Sequence, residues 1–164
     1  MDKTAHLNGL KEHARRVKTL EELKERVTPA LRAAANRHRA LGYVSGIISS
    51  DGPHRMQNNL ALLEEYTKLL RVRVRFPIFS STDIFDGDNA DRISKDESDW
   101  RYFWRGVISE SRVTDIFMTP RWEHSVGAID ELRHAHSNAI IVHYLDKDPE
   151  LLAILTNSNK RLRY

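Results

Sequence analysis

Over the first forty residues the apolar positions recur at helical spacing. Leu20, Leu23, Val27 and Leu31 fall on one stripe, three and four residues apart as one face of an α-helix requires. Thr19 followed by Glu22 reads as a capping box, in which each side chain satisfies an otherwise orphaned backbone N–H. Thr28-Pro29 reads as a second helix start, with Thr28 as N-cap and Pro29 in the first helical position. Gly42 closes the segment. An amphipathic arm over 1–41 must bury its stripe, either on its own body or on a second subunit.

From Gly42 onward the period changes. The run Tyr43-Val44-Ser45-Gly46-Ile47-Ile48 predicts a buried strand entering a loop over 49–53. Leu60, Leu62, Leu63, Tyr66, Leu69 and Leu70 then give a helix a broad apolar face. Val72, Val74 and Phe76 alternate with arginines, which predicts a strand halted by Pro77. Residues 80–98 are polar and turn-rich and predict a long mobile loop. A helix over 100–112, a short strand over 115–119, a loop over 120–127, a helix over 128–136 and a strongly apolar strand over 139–144 follow. A last helix is expected over 149–155. Strands alternating with helices imply βαβ units, hence a parallel sheet covered on both faces. The chain thus divides into an arm, 1–41, and an α/β domain, 42–164. In such sheets ligands sit beyond the carboxyl ends of the strands, which directs attention to loops 45–53, 77–98 and 119–128.

Composition narrows the function classes. Hydrophobic residues make up 40% and charged residues 30% of 164 positions, a globular balance too apolar for a disordered tail. No apolar run approaches a membrane span of about 18 residues, and the polar start Met1-Asp2-Lys3 does not read as a signal peptide. A soluble, cytoplasmic protein is expected. The absence of cysteine removes disulfides, thiolate metal sites and a cysteine nucleophile. Residues 1–41 carry ten Lys and Arg against five acids, a net of +5, which leaves −2 on residues 42–164. Because basic and acidic residues interleave, the arm reads as a solvated helical face, and nucleic-acid binding is a minor reading.

Two segments carry candidate chemistry. The first strand ends in Ser45-Gly46 before a Ser/Gly loop and a helix; glycine allows close approach of a ligand, and a helix start offers free N–H groups to a phosphate. The second segment, Trp122-Glu123-His124-Ser125-Val126-Gly127, runs into a helix that carries Glu131 about one turn in. A carboxylate held over a crevice can attack an electrophilic sugar carbon or stabilise an oxocarbenium-like transition state. His134 and His136, two apart, do not face one another, so no metal pair and no metal site is expected there. His124 reads as a solvated loop histidine. Of the dense aromatics Trp100, Tyr102, Phe103 and Trp104, only one or two can face a crevice.

Taken together, Tyr43-Val44-Ser45-Gly46, Asp115-Ile116, Pro120, Trp122-Glu123, Ser125, Gly127-Ala128, Glu131 and Ala135 resemble the nucleoside 2-deoxyribosyltransferase-like superfamily over roughly residues 42–145. The segment is also similar to the nucleotide N-glycosidases, which hydrolyse nucleoside 5′-monophosphates. The resemblance implies a flavodoxin- or Rossmann-like parallel sheet flanked by helices, to which this chain adds its N-terminal helical arm. It implies cleavage of an N-glycosidic bond without a cofactor, with Glu131 as nucleophile and Tyr43 beside it. Ser45, Gly46, Ser125 and Gly127 would bind the substrate and its 5′-phosphate, and Trp122 would contact the ligand or close the site. A serine at position 125, where nucleoside transferases carry an acid, suits a phosphate dianion, since a carboxylate would repel it. Relatives form oligomers that complete sites across subunits, so a homodimer or larger assembly is expected. One departure stands out. The family's base-protonating aspartate, eight residues before the position of Asp115, falls on Val107, which moves no proton; Asp99 and Glu110 are the nearby acids that would substitute. The alternatives are therefore a catalytically impaired nucleotide sensor of the same fold or a nucleoside deoxyribosyltransferase.

Overall fold

A computed structural model describes residues 2–85 and 87–147. Two helices lead in, α1 (Leu10–Arg16) and α2 (Leu20–His38), and strand β1 (Gly42–Ser45) follows. The chain continues through α3 (Met56–Arg73), β2 (Ile78–Ser80), α4 (Gly87–Ile93) and α5 (Glu97–Glu110). It then forms β3 (Asp115–Met118), α6 (Val126–Ser137) and β4 (Ile141–Tyr144). The four strands form one sheet in the order β2-β1-β3-β4, parallel throughout. The result is the Rossmann-like α/β architecture expected from the alternation of strands and helices. The helix expected over 149–155 lies outside the described residues.

Side chains alternate across each strand and sort into two cores. Tyr43, Phe79, Ile116 and Met118 join a cluster with Phe103, Trp104, Val107 and Ile108 of α5 and with Ala128, Leu132 and Ala135 of α6. On the opposite face, Val44, Ile78 and Phe117 pack with Leu63 and Leu70 of α3. The arm's stripe has its answer here. Leu10, Ala14, Val17, Leu23, Val27 and Leu31 are all fully buried and belong to the first cluster. The arm therefore buries its apolar face on its own body, chiefly against α5.

Four local expectations are corrected. The alternation at 72–76 is not a strand: α3 runs on through Arg73, Val72 is 84% exposed, and β2 begins only after Pro77. Arg71 closes this corner, donating to the Ile78 carbonyl and to Asp83. The turn-rich stretch 80–98 is not one long loop but holds a 3-10 turn, α4 and the first residues of α5. Thr28-Pro29 does not start a second helix, because α2 is continuous and carries Pro29 inside it. Proline there forfeits a hydrogen bond to the carbonyl four residues back, and both Glu25 and Pro29 lie on the exposed side of the helix. The capping box is half formed. The Thr19 hydroxyl accepts from Glu22 N at 3.1 Å, while the Glu22 carboxylate takes the N–H of Lys18 rather than that of Thr19.

Candidate active site

Glu131 projects from α6 toward β1 and is 7% exposed. Tyr43 and Ser45, two apart on β1, share a strand face, and both hydroxyls reach the Glu131 carboxylate. Tyr43 Oη donates to Oε1 at 3.1 Å and Ser45 Oγ donates to Oε2. Burial pushes the Glu131 carboxyl up to about 7; the hydrogen bonds from Ser45 and Tyr43 pull against that rise, and the charge of Asp130 adds to it. Burial, reinforced by the neighbouring carboxylate, raises the Tyr43 phenol well above its ordinary value, so Tyr43 stays a proton donor at neutral pH. Near pH 7 the site thus holds a carboxyl group poised between its two protonation states.

The start of α6 is built to leave room beside this carboxylate. Ser125 is the N-cap, and its hydroxyl accepts from Ala128 N at 3.1 Å while its carbonyl accepts from Ile129 N at 3.0 Å. Val126 N donates to Ser50 Oγ at 3.3 Å, which ties the loop after β1 to this helix. The Gly127 amide has no partner among the described residues. Gly127 lies one turn before Glu131 on the same helical face, and a Cβ added there would touch only Ser125 Oγ, at 3.9 Å. Gly46 differs: a Cβ there would run into the Thr119 hydroxyl. Glycine at 46 lets the ends of β1 and β3 close on one another, with Thr119 N donating to the Ser45 carbonyl at 2.9 Å.

A cavity of about 440 Å³ opens over these residues beyond the carboxyl ends of β1, β2 and β3, drawing on all three expected loops. Tyr43, Gly46, Ser125, Gly127 and Glu131 line it, as do Trp100 and Trp104. Other expected residues lie elsewhere. Ser45 spends its hydroxyl on Glu131 and is not among the residues that line the cavity, which places it behind the carboxylate as a positioning residue. Trp122 packs against the Tyr144 ring, 5.8 Å between centroids, and is not part of the cavity wall. Glu110 pairs with Lys24 of the arm at 2.9 Å, and Asp99 accepts from Ser94, so neither expected substitute acid reaches the cavity. Val107 is fully buried in the first core.

Sequence reasoning missed Ser50, Ser81, Phe85, Asp91 and Glu97, all of which line the cavity. Most come from the stretch expected as a mobile loop, where polarity masked α4 and the first residues of α5. The strand-end rule pointed to loops 45–53 and 77–98, and Ser80-Ser81-Thr82 signalled a turn, but neither indicated which residues would line the cavity. Among the described residues, no group of three or more His, Asp or Glu side chains is placed to hold a metal ion, and no helix is long and apolar enough to cross a membrane. Comparisons with protein-family models, with curated proteins and with solved structures find no match for this chain.

Proposed function

We propose that this protein cleaves the N-glycosidic bond of a nucleoside 5′-monophosphate, releasing the free base. The observation that carries the reading is the buried Glu131 carboxylate, fixed by Tyr43 and Ser45 at the wall of a cavity that also contains the start of α6. In the proposed reaction a Glu131 oxygen bonds to the anomeric carbon as the C–N bond breaks, and the base departs with the bonding electron pair. The base takes up a proton as it leaves. Asp91 and Glu97, the other carboxylates among the described residues of the cavity wall, are the candidates for that role, since Val107 supplies none. Water then displaces the carboxylate from the sugar carbon, and its proton returns to the acid that protonated the base. The neutral Ser125 hydroxyl and the unpartnered Gly127 amide favour a phosphate at the α6 start over a free nucleoside.

Chromatographic detection of free base tests the reading. The protein is incubated with ribo- and deoxyribonucleoside 5′-monophosphates, with Glu131→Gln as the control. Release by the native chain that disappears in Glu131→Gln supports the glycosidase; exchange of the glycosyl group onto an added second base would make it a transferase. The second reading is a nucleotide sensor, and the buried Val107 is the observation that favours it. It expects micromolar nucleotide binding with no release. Neither release nor binding would overturn both.

A further inference from the structure

We infer that the Ser81 hydroxyl recognises a polar edge of the base, an assignment that rests on reading the cavity as a nucleotide site. Five buried side-chain oxygens among the described residues lack a hydrogen-bond partner: those of Thr28, Asp51, Ser81, Ser111 and Asp146. Of these residues only Ser81 lines the cavity. It is 5% exposed, so water does not stand in freely for the missing partner. A buried hydroxyl without a partner destabilises a fold, and on a residue of the cavity wall a ligand atom can supply that partner.

The surrounding turn leaves Ser81 little freedom. Its carbonyl accepts from Ile84 N at 3.1 Å and from Phe85 N at 2.9 Å. On one side the Ser80 hydroxyl is engaged with Thr82 Oγ1 at 2.7 Å, and on the other Asp83 accepts from Ser80 N and from Arg71. The side chains of Ser80, Thr82 and Asp83 are thus all hydrogen-bonded while Ser81 Oγ is not.

Topology decides which end of a nucleotide it meets. The sheet order β2-β1-β3 places Ser81, just past β2, on the opposite side of β1 from Ser125 and Gly127, which follow β3. Glu131 and Tyr43 lie between. The Ser81 side is aromatic: Phe85 meets Trp100 edge-on at 4.7 Å and Trp104 at 6.1 Å, and all three line the cavity. A flat heteroaromatic ring suits such walls, and a hydroxyl that both donates and accepts can pair with its amino or carbonyl edge. With a phosphate at the α6 start, the glycosidic carbon falls near Glu131 and the base falls beside Ser81.

Calorimetric titration separates the possibilities, using Glu131→Gln as the background so that nothing turns over. The probes are nucleoside 5′-monophosphates and ribose 5-phosphate, which lacks a base. Adding Ser81→Ala should weaken binding of the preferred nucleotide about tenfold and leave ribose 5-phosphate binding unchanged. The same substitution should raise the Tm of the free protein by about 2–4 °C, because it removes an unsatisfied buried hydroxyl. Ser111→Ala removes an equally orphaned hydroxyl outside the cavity, and it should raise Tm without touching binding. Nucleotide binding unchanged in Ser81→Ala, equal weakening for ribose 5-phosphate, a lowered Tm, or no nucleotide binding by the background protein would each overturn the assignment. If the native chain releases no base but binding depends on Ser81 as stated, the glycosidase reading fails and this one stands. Release with a KM that ignores Ser81 gives the reverse.

Discussion

Tyr43 and Glu131 lie 88 positions apart, yet the phenol of one donates to the carboxylate of the other at 3.1 Å, both residues being buried at the wall of the cavity. Tyr43 also stacks on Trp104, 5.4 Å between centroids, and tilts against Phe79 at 5.1 Å. Its ring belongs to the core and its hydroxyl to the site, so the two contributions can be separated by a single substitution.

Tyr43→Phe keeps the ring and removes the donor. Packing is preserved, so the loss of stability should be limited to about 1–3 kcal/mol, the cost of leaving a buried acceptor unpartnered. The Tyr43 bond holds the Glu131 carboxyl down against the effect of burial, so its loss should carry the titration midpoint above about 7. The carbon chemical shift of the Glu131 carboxyl, followed from pH 5 to 9, reads this directly, and any base release should acquire the same displaced midpoint. An unchanged or lower midpoint would refute the coupling.

Glu131 itself should make the fold less stable as pH rises. Burial pushes its carboxyl up to about 7 in the folded chain, against the ordinary glutamate value of 4.5, so between those values the native state holds a proton that the unfolded state has released. Stability is then greatest below about pH 4.5 as far as this group is concerned, and declines through pH 7 by about 3 kcal/mol in total. Glu131→Gln lacks the titration. Melting curves of both proteins from pH 5 to 8 should show the variant gaining on the native chain as pH rises; parallel curves would contradict a carboxyl raised by burial.

The parts of this arrangement that were legible in the sequence are those with a repeated signal. The apolar runs at β1 and β3, the stripe at 20–31 and the Ser125-to-Glu131 spacing each draw on several residues, and the structure forms a strand or helix at each, with residues 46–48 past the end of β1 and Ser125 as the cap of α6. Short or masked signals misled. Five alternating residues at 72–76 cannot outweigh a helix already propagating from Met56, and β2 is only three residues long, all buried. Pro29 was read as a helix start because its cost is local, whereas the fully buried Leu23, Val27 and Leu31 that offset it act over the whole of α2. Ser45 and Ser81 are chemically alike in sequence. Only the fold distinguishes a hydroxyl spent on Glu131 from one left without a partner.

Gly46→Ala tests the closure of the strand ends. The new methyl would collide with the side chain of Thr119, which is itself buried and β-branched, so relief requires the backbone to move. Overpacking of this kind costs about 1–3 kcal/mol. Combining it with Thr119→Ala should recover most of that loss, and a double-mutant cycle by urea denaturation measures the coupling. Additive effects would show that the two residues do not share the space.

The arm should behave as part of the folding unit. Leu31 is fully buried in the cluster that also holds Tyr43 and Trp104. Leu31→Ala should therefore cost about 2–5 kcal/mol, with one cooperative transition monitored both by far-ultraviolet dichroism and by the fluorescence of the tryptophans. Two separated transitions would instead mean that the arm melts independently of the sheet.

Gly127 sets stability and ligand access against one another. It sits inside the first turn of α6, and a Cβ there would meet nothing closer than Ser125 Oγ at 3.9 Å. Alanine is favoured over glycine in a helix by about 0.5–1 kcal/mol, so Gly127→Ala should stabilise the free protein by roughly that amount. The fold gains nothing from glycine at this position, and its unsubstituted face lines the cavity one turn before Glu131. Gly127→Leu should keep the melting temperature near the native value, because the side chain grows into open space. It should also abolish nucleotide binding by filling the phosphate end. The titration decides between the roles: a leucine variant that folds and still binds nucleotide would move the phosphate away from the start of α6, and one that folds without binding would fix it there.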